Sequence, residues 1–265
     1  MSVAKEQREK LIWEFPNIGK KAPEQEEKAF AYCEGYKEFL NVAKTEREFV
    51  REAVLRLKEA GYEEFEEGKI YQPGDKVYQI NRKKALLMST FGKRPLEDGV
   101  RINVAHIDSP RLDLKPNPLY EKAEAAYFKT HYYGGIRKYQ WATIPLAMHG
   151  VVILKDGTSM DICIGEKEGD PVFCVTDLLP HLAAQQNERK LKDGIKGEEL
   201  NIIVGSLPYP CEEEDSIKEP VKLLALSILN ERFGMTEKDF LRAEIEFVPA
   251  VKATDVGLDR SLVGA

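Results

Sequence analysis

The sequence of 265 residues contains little cysteine and little histidine, with four residues of each. The cysteines are Cys33, Cys163, Cys174 and Cys211, and no two of them have Cys-x-x-Cys spacing. Scattered cysteines of this kind are best interpreted as reduced thiols rather than as a metal-binding or disulfide framework. Reduced thiols in turn predict a cytoplasmic location.

Long hydrophobic runs are also missing. No apolar segment approaches the roughly 18 residues of a membrane span, and residues 1–10 are polar and charged, unlike a signal sequence. The net charge of -6 disfavours a phosphate-backbone partner, so neither nucleic acid nor a membrane is expected to bind. With 43% hydrophobic and 32% charged residues, the composition is that of an ordinary globular protein with one large domain or two smaller ones.

The most informative segment is Ala105-His106-Ile107-Asp108-Ser109-Pro110, which follows the β-branched run 101–104. If the run is a strand, His106 and Asp108 point to the same face at its end, and Pro110 stops the hydrogen-bond ladder. A neutral imidazole is a good zinc donor, and a nearby carboxylate can hold its second nitrogen. On the tripeptide alone, a strand-end histidine bonded to a carboxylate without any metal is the favoured interpretation.

Further motifs extend the pattern. They follow in this order: Arg111-Leu112-Asp113-Leu114-Lys115-Pro116, Lys129-Thr130-His131-Tyr132-Tyr133-Gly134-Gly135, Ile144-Pro145-Leu146, Asp177-Leu178-Leu179-Pro180-His181-Leu182 and Lys252-Ala253-Thr254-Asp255-Val256-Gly257-Leu258-Asp259-Arg260-Ser261. Together they resemble the aspartyl aminopeptidase-type family of dinuclear zinc aminopeptidases. The resemblance runs from about Asp75 to Ala265.

The resemblance implies a hydrolase that releases N-terminal residues from peptides with two zinc ions. In that family the histidine of this motif binds one zinc, here His106, and the aspartate orients the site, here Asp108. The family's remaining metal ligands and its general base would lie beyond Ala265. We therefore expect the N-terminal portion of such an enzyme, with little or no peptidase activity by itself. The alternative function is a non-catalytic module for dimerisation and assembly.

The resemblance also implies the fold. It predicts an α/β catalytic domain, with a mixed sheet and flanking helices like those of zinc exopeptidases, interrupted by an inserted β-rich dimerisation domain. The expected division is 1–112 for the first part of the catalytic domain, 113–242 for the inserted domain and 243–265 for the return to the catalytic domain. Family members form homo-oligomers through the inserted domain, which also reaches into the partner's active site.

His181 matches the family's Pro-His-Leu motif, which predicts a substrate-binding residue. A satisfied histidine within a helix stays an equal alternative. In aspartate-preferring relatives a second histidine follows four residues later, whereas this chain has Gln185. Since a glutamine cannot carry a positive charge, strict preference for N-terminal Asp or Glu is not expected.

The other candidates carry weaker signals. His131, among aromatics and glycines, is more typical of a loop or an interface than of a metal ligand, and His149 is expected to be structural. Ser109 lacks the Gly-x-Ser-x-Gly elbow of a serine hydrolase. Asp255 and Asp259 could orient metal ligands or simply cap backbone donors.

Periodicity and turn signals give the local structure. Helices are expected at 24–44, at 45–61 behind the capping box Thr45–Glu48, at 178–191 and at 221–233. Strands are expected at 77–80, 85–91, 102–105, 151–154, 160–164, 200–204 and 244–248. The run 102–105 should be covered on both faces, which would place His106 at the carboxyl end of a buried strand.

Overall fold

The structure is a computed structural model that describes residues 2–13, 22, 24–210 and 217–265. Within them the chain forms two compact units, residues 1–42 with 252–265, and residues 43–251. Each unit is described by itself below. The fourth cysteine, Cys211, lies outside the described residues.

The elements are named in chain order. The helices are α1 (Val3–Leu11), α2 (Glu24–Val42), α3 (Glu46–Glu59), α4 (Ala184–Asn187) and α5 (Pro220–Phe233). The strands are β1 (Glu63–Glu64), β2 (Lys76–Asn81), β3 (Ala85–Thr90), β4 (Arg111–Lys122), β5 (Ala125–Tyr133), β6 (Leu146–Ile153), β7 (Ser159–Ile164), β8 (Cys174–Val175), β9 (Ile202–Gly205), β10 (Ala243–Pro249), β11 (Thr254–Val256) and β12 (Leu262–Gly264).

The smaller unit consists of α1, α2 and the hairpin β11–β12. The hairpin is tied to α2 by two contacts of the segment 253–255. The backbone nitrogen of Ala253 donates to Oδ1 of Asn41 at 2.7 Å, and Nζ of Lys37 lies 2.6 Å from Oδ1 of Asp255. The contacts join residues that are far apart in the sequence, so this unit depends on long-range pairing.

The larger unit begins with α3, whose start is the predicted capping box. The Thr45 side chain accepts from the backbone nitrogen of Glu48, while the Glu48 carboxylate accepts from the backbone nitrogen of Thr45. The helix ends before Gly61, which has a positive φ of 82°. Such a conformation favours glycine because it has no Cβ, so both predicted helix boundaries are confirmed.

Two sheets follow. The first is small, with the order β1-β2-β3, and its β2–β3 hairpin confirms the strands expected at 77–80 and 85–91. The second has seven strands in the order β7-β6-β10-β4-β5-β9-β8, and every pair of neighbouring strands in it is antiparallel. It confirms the β-rich character expected after residue 113 and the strands expected near 151–154, 160–164, 200–204 and 244–248.

The main hydrophobic core lies on the seven-stranded sheet. Leu112, Phe128, Met148 and Phe247 are at most 1% exposed, and they come from four different strands. Helix α5 covers part of this sheet with Val221, Ala225 and Leu229, which recur every four residues and are all buried. The mixed α/β fold with flanking helices is therefore confirmed.

The first backbone groups of α5 are paired by a strand. Oε2 of Glu121, on β4, accepts from the backbone nitrogens of Val221 at 2.9 Å and Lys222 at 3.0 Å. Those nitrogens have no partner within the helix, and a negative charge at a helix N-terminus is favourable. This contact fixes α5 on the sheet. Across the residues that the structure describes, no helix is long and apolar enough to cross a membrane.

Two predicted elements are wrong. Segment 102–105 forms no strand, and Ile102 and Val104 are 73% and 89% exposed. A β-branched run becomes a strand only when a neighbouring strand accepts its hydrogen bonds, and β3 pairs only with β2 among the described strands. The helix expected at 178–191 is reduced to the single turn α4, because its leucines, among them Leu178 and Leu182, are exposed and no apolar face is buried.

Candidate functional site

His106 and Asp108 lie close together in an irregular segment instead of at a strand end. Nδ1 of His106 lies 3.1 Å from the backbone oxygen of Asp108 and 3.4 Å from its Oδ1. The imidazole is 86% exposed, and its Nε2 makes no hydrogen bond to any described residue. The sequence thus placed the right two groups side by side but predicted the wrong backbone, since residues 101–110 have no regular structure. Asp108 therefore holds Nδ1, and Nε2 is available to coordinate a metal ion.

The Asp108 carboxylate is fixed by Tyr133, at the end of β5. The Tyr133 hydroxyl donates to Oδ2 of Asp108 at 2.7 Å. This hydrogen bond lowers the pKa of Asp108 because it stabilises the charged form, and the nearby His106 acts in the same direction. Asp108 therefore uses one side to face His106 and the other to accept from the tyrosine.

Tyr133 in turn lies against Arg111, its direct partner across strands β4 and β5. The guanidinium carbon of Arg111 is 4.0 Å from the centre of the tyrosine ring, which is a cation–π contact. Sequence reasoning missed both residues. The sequence contains the Thr130-His131-Tyr132-Tyr133 motif, but only the register of β4 and β5 shows which of its aromatic side chains faces Asp108.

Arg111 is almost fully buried, and three carboxylates surround it. Its guanidinium lies 2.9 Å from Oε1 of Glu46, 2.8 Å from Oδ1 of Asp113 and 3.5 Å from Oε1 of Glu246. A buried arginine needs such partners because an unpaired charge is costly away from water. Helix α3 and strands β4 and β10 each contribute one of the carboxylates, so Arg111 joins three elements beside the motif.

Three carboxylates share the single positive charge of Arg111, and the pKa of one of them, Glu246, is raised. Burial raises the pKa of Glu246 to about 7, and the negative charge of Glu46 acts in the same direction against the pull of Arg111. Oε2 of Glu46 and Oε2 of Glu246 are both buried without a hydrogen-bond partner among the described residues. Near neutral pH, Glu246 is therefore close to half protonated.

His149 is structural, as expected. It is 3% exposed on β6, with Nδ1 2.7 Å from Oε1 of Glu48 and Nε2 3.0 Å from Oε1 of Glu166. Nζ of Lys44 also reaches Glu166 at 2.7 Å. Burial lowers the pKa of His149, but the bonds to Glu166 and Glu48 outweigh it and raise the pKa to about 9. The imidazole is a cation that joins α3 to the large sheet.

The other candidates lie apart from the motif. His181 is exposed in a turn before α4, and the hydrogen bonds and ion pairs of His106 and Asp108 among the described residues do not include it. The alternative of a histidine within a helix is wrong. His131 is exposed on β5, where its ring stacks on Tyr132 with centroids 5.5 Å apart. Nδ1 of His106 contacts Asp108 instead of Ser109, which gives no support to a serine hydrolase.

In the smaller unit, Asp255 and Asp259 both make structural contacts. Asp255 forms ion pairs with Lys37 and Arg260. Oδ1 of Asp259 accepts from the backbone nitrogen of Ser261 at 3.3 Å and from its hydroxyl at 3.0 Å. Asp255 therefore joins the β11–β12 hairpin to α2, and Asp259 stabilises the turn between the two strands.

The donor set decides what His106 can do with a metal. Within the part of the chain that the structure describes, no group of three or more His, Cys, Asp or Glu side chains could hold a metal ion. Zinc takes four protein ligands in structural sites and usually three in catalytic sites. His106, with its Nε2 available and its Nδ1 held, fits the role of one zinc ligand, and the described residues do not complete a site alone.

Comparisons with known proteins agree with the motif. The sequence model of the aminopeptidase I zinc metalloprotease (M18) family matches residues 39–265. A protein of Clostridium acetobutylicum named "Probable M18 family aminopeptidase 1" is 49% identical over 258 residues, which cover 96% of this chain and 55% of the relative. The protein of the same name from Thermotoga maritima is 47% identical over 241 residues, 91% of this chain and 52% of the relative. The chain thus spans about half the length of the curated relatives that it matches.

Solved structures show the same fold. The crystal structure of an M18-family aminopeptidase from Thermotoga maritima matches with a TM-score of 0.87 at 46% identity, covering 96% of this chain and 54% of that one. A structure of the S. cerevisiae mApe1 dodecamer matches with a TM-score of 0.62, over 88% of this chain and 51% of that one. At 19% identity, this second likeness concerns the fold alone.

Proposed function

Because the chain belongs to the aminopeptidase I zinc metalloprotease (M18) family, we propose that it forms the His106-bearing part of an aminopeptidase that releases N-terminal residues from peptides. His106 is a ligand of one of two zinc ions, and Asp108 holds its ring. We further propose that these 265 residues alone do not hydrolyse peptides. The observation that carries the proposal is the pairing of Nδ1 of His106 with Asp108, which leaves Nε2 as the metal donor.

The residues divide the work as follows. When bound, zinc would polarise the scissile carbonyl and hold the free amine of the substrate. His106 supplies a neutral nitrogen to the metal, and Asp108 keeps the proton on Nδ1 so that the lone pair stays on Nε2. His181 contacts the substrate, which is supported by its exposed position in a turn. Gln185 carries no charge, so an acidic first residue of the substrate is not required.

Assembly and location follow the same family logic. We propose that the seven-stranded sheet serves as the dimerisation domain and that the protein acts as a homo-oligomer in the cytoplasm. The S. cerevisiae mApe1 dodecamer, which has this fold, supports assembly. Cys33, Cys163 and Cys174 are free cysteines, which agrees with a reducing compartment. The division at 113–242 stays a prediction.

A non-catalytic assembly module is the second candidate function. It is favoured by the position of the main core, which lies entirely between residues 112 and 247 and includes no residue of the His106 motif. A chain with this core could fold and associate without any metal. The two candidates differ in whether His106 ever binds zinc.

The test uses a chimera in which this chain is continued by the second half of the Clostridium acetobutylicum relative. We expect the chimera to contain zinc by elemental analysis and to hydrolyse aminoacyl-anilides, whereas the 265-residue chain does not. His106→Ala should remove both zinc and hydrolysis. His131→Ala, which alters an exposed histidine on β5, is the matched control and should retain both. A folded chimera whose zinc content is unchanged by His106→Ala would favour the assembly module.

A further inference from the structure

The zinc motif is connected to the seven-stranded sheet by a short series of contacts. His106 faces Asp108, Asp108 accepts from the Tyr133 hydroxyl, and the ring of Tyr133 lies on Arg111. Beyond Pro110 the chain enters β4 directly at Arg111, the residue paired with Tyr133. The segment 106–110 thus adjoins the first residue of β4, and Tyr133 of the neighbouring strand β5 bonds to Asp108 in that segment.

We propose that Tyr133 is a positioning residue for the metal ligand, acting through Asp108 to orient His106. The inference rests on the proposed role of His106 as a zinc ligand. It adds a residue from the sheet expected to serve in dimerisation, and it makes the end of β5 part of the support for the metal site.

The geometry favours this role because the rest of the motif is poorly supported. Residues 101–110 form no strand and His106 is 86% exposed, so strand pairing does not hold the imidazole in place. Its only hydrogen-bonding and ionic contacts among the described residues are those of Nδ1 with the backbone oxygen and Oδ1 of Asp108. The bond of 2.7 Å from Tyr133 to Asp108 is the shortest of the contacts that the His106–Asp108 pair makes. A carboxylate with one oxygen anchored has less freedom to turn away from the imidazole.

Tyr133 can serve as an anchor because its own position is fixed twice. Its backbone lies in register opposite Arg111, and its ring contacts the guanidinium at 4.0 Å. Arg111 is 7% exposed and held by Glu46, Asp113 and Glu246. The buried ionic cluster around Arg111 therefore fixes the orientation of the Tyr133 hydroxyl. Metal-binding histidines are commonly oriented in the same way, by hydrogen bonds from residues that do not touch the metal.

Nuclear magnetic resonance of the 265-residue chain without metal tests the proposal. With ring-¹⁵N histidine and His106 assigned by His106→Gln, the nitrogen shifts at pH 9 report the ratio of the Nδ1–H to the Nε2–H tautomer. We expect Nδ1–H to dominate in the wild type. Tyr133→Phe removes only the hydroxyl and keeps the ring on Arg111, and it should lower that ratio at least about twofold. Tyr132→Phe, the same change one residue earlier, should leave it unaltered.

A second variant keeps the test decisive. Asp108→Asn should lower the tautomer ratio by itself, and adding Tyr133→Phe to it should change nothing further, because the two residues act in series. An unchanged His106 spectrum in Tyr133→Phe or in Asp108→Asn, or additive effects in the double variant, would overturn the proposal. Since no zinc is present, this result is independent of whether the chimera proves to be a peptidase.

Discussion

Nδ1 of His149 lies 2.7 Å from Oε1 of Glu48, the same carboxylate whose Oε2 closes the capping box of α3. One glutamate therefore joins the start of a helix to the buried strand β6. Glu166 holds the opposite nitrogen, so the imidazole is enclosed by two negative charges. The contact supports α3, whose Glu46 pairs with Arg111, the residue that contacts Tyr133.

The first prediction concerns alkaline pH. His149 has a pKa of about 9 in the folded chain against 6.5 in the unfolded chain, so its contribution is fully present below pH 6.5 and is lost as pH rises through 9. We expect the free energy of unfolding from urea titrations to fall by about 3 kcal/mol over that window. His149→Gln should flatten this pH dependence, and His131→Gln should preserve it. A pH profile that is the same in His149→Gln and the wild type would contradict the assignment.

The second prediction is that replacing Glu246 by a neutral residue stabilises the folded chain, because burial disfavours its charged form. Its pKa is about 7 when folded and 4.5 when unfolded, so ionisation at higher pH penalises the folded state. Glu246→Gln imitates the protonated form and should increase stability at pH 8 by about 3 kcal/mol, with a much smaller effect at pH 5. Urea titrations at the two pH values measure this difference.

Glu244→Gln, two residues earlier on β10, is the control for that experiment. Glu244 is more exposed and forms ion pairs with Arg47 and Lys84. Its loss should reduce stability slightly, by less than about 1 kcal/mol. If Glu246→Gln destabilised the chain at pH 8, or acted equally at both pH values, the ionised cluster around Arg111 would need another explanation.

The helix start gives a third prediction. Thr45→Ala removes the hydroxyl that accepts from the backbone nitrogen of Glu48, and we expect a loss of about 1 kcal/mol in unfolding free energy. Thr45→Ser keeps an acceptor at the same place and should lower the unfolding free energy by only about 0.3 kcal/mol. Thermal unfolding followed by circular dichroism compares the two variants. Equal losses in both would show that the methyl group, rather than the cap, matters.

Local signals in the sequence predicted local structure correctly. Thr45 and Glu48 are three residues apart, and Asp156 accepts from the nitrogen of Thr158 in the turn between the strands expected at 151–154 and 160–164. Gly234 ends α5 with φ 65°, as its position after Phe233 indicates. In each case the interacting groups are close in sequence, so propensity and capping rules contain the relevant physics.

The failures involve partners that are distant in sequence. The run 102–105 has the composition of a strand, but a strand also needs a neighbour, and composition cannot supply one. Likewise, nothing in the sequence indicates that Tyr133, instead of Tyr132, faces Asp108. That choice depends on the register of β4 against β5, where a shift of one residue would reverse the faces. The closeness of His106 and Asp108 could be predicted from the motif, and the contacts that support them could not.

The last prediction concerns Gly150, on the second strand from one edge of the large sheet. It lies on β6 opposite Ile245 of β10, with φ 152°. A Cβ built on it would be 2.1 Å from the backbone oxygen of Glu244 and 2.8 Å from the Cα of Ile245, and backbone atoms cannot rotate away as a side chain can. Gly150→Ala must therefore separate β6 from β10, and we expect a loss of more than about 3 kcal/mol in unfolding free energy. Gly205→Ala on β9, where an added Cβ meets nothing within 4 Å, is the matched control and should stay within about 1 kcal/mol of the wild type. Urea denaturation of the two variants decides the point, and a mild effect at Gly150 would mean that the β6–β10 pairing is looser than the close approach of the two backbones indicates.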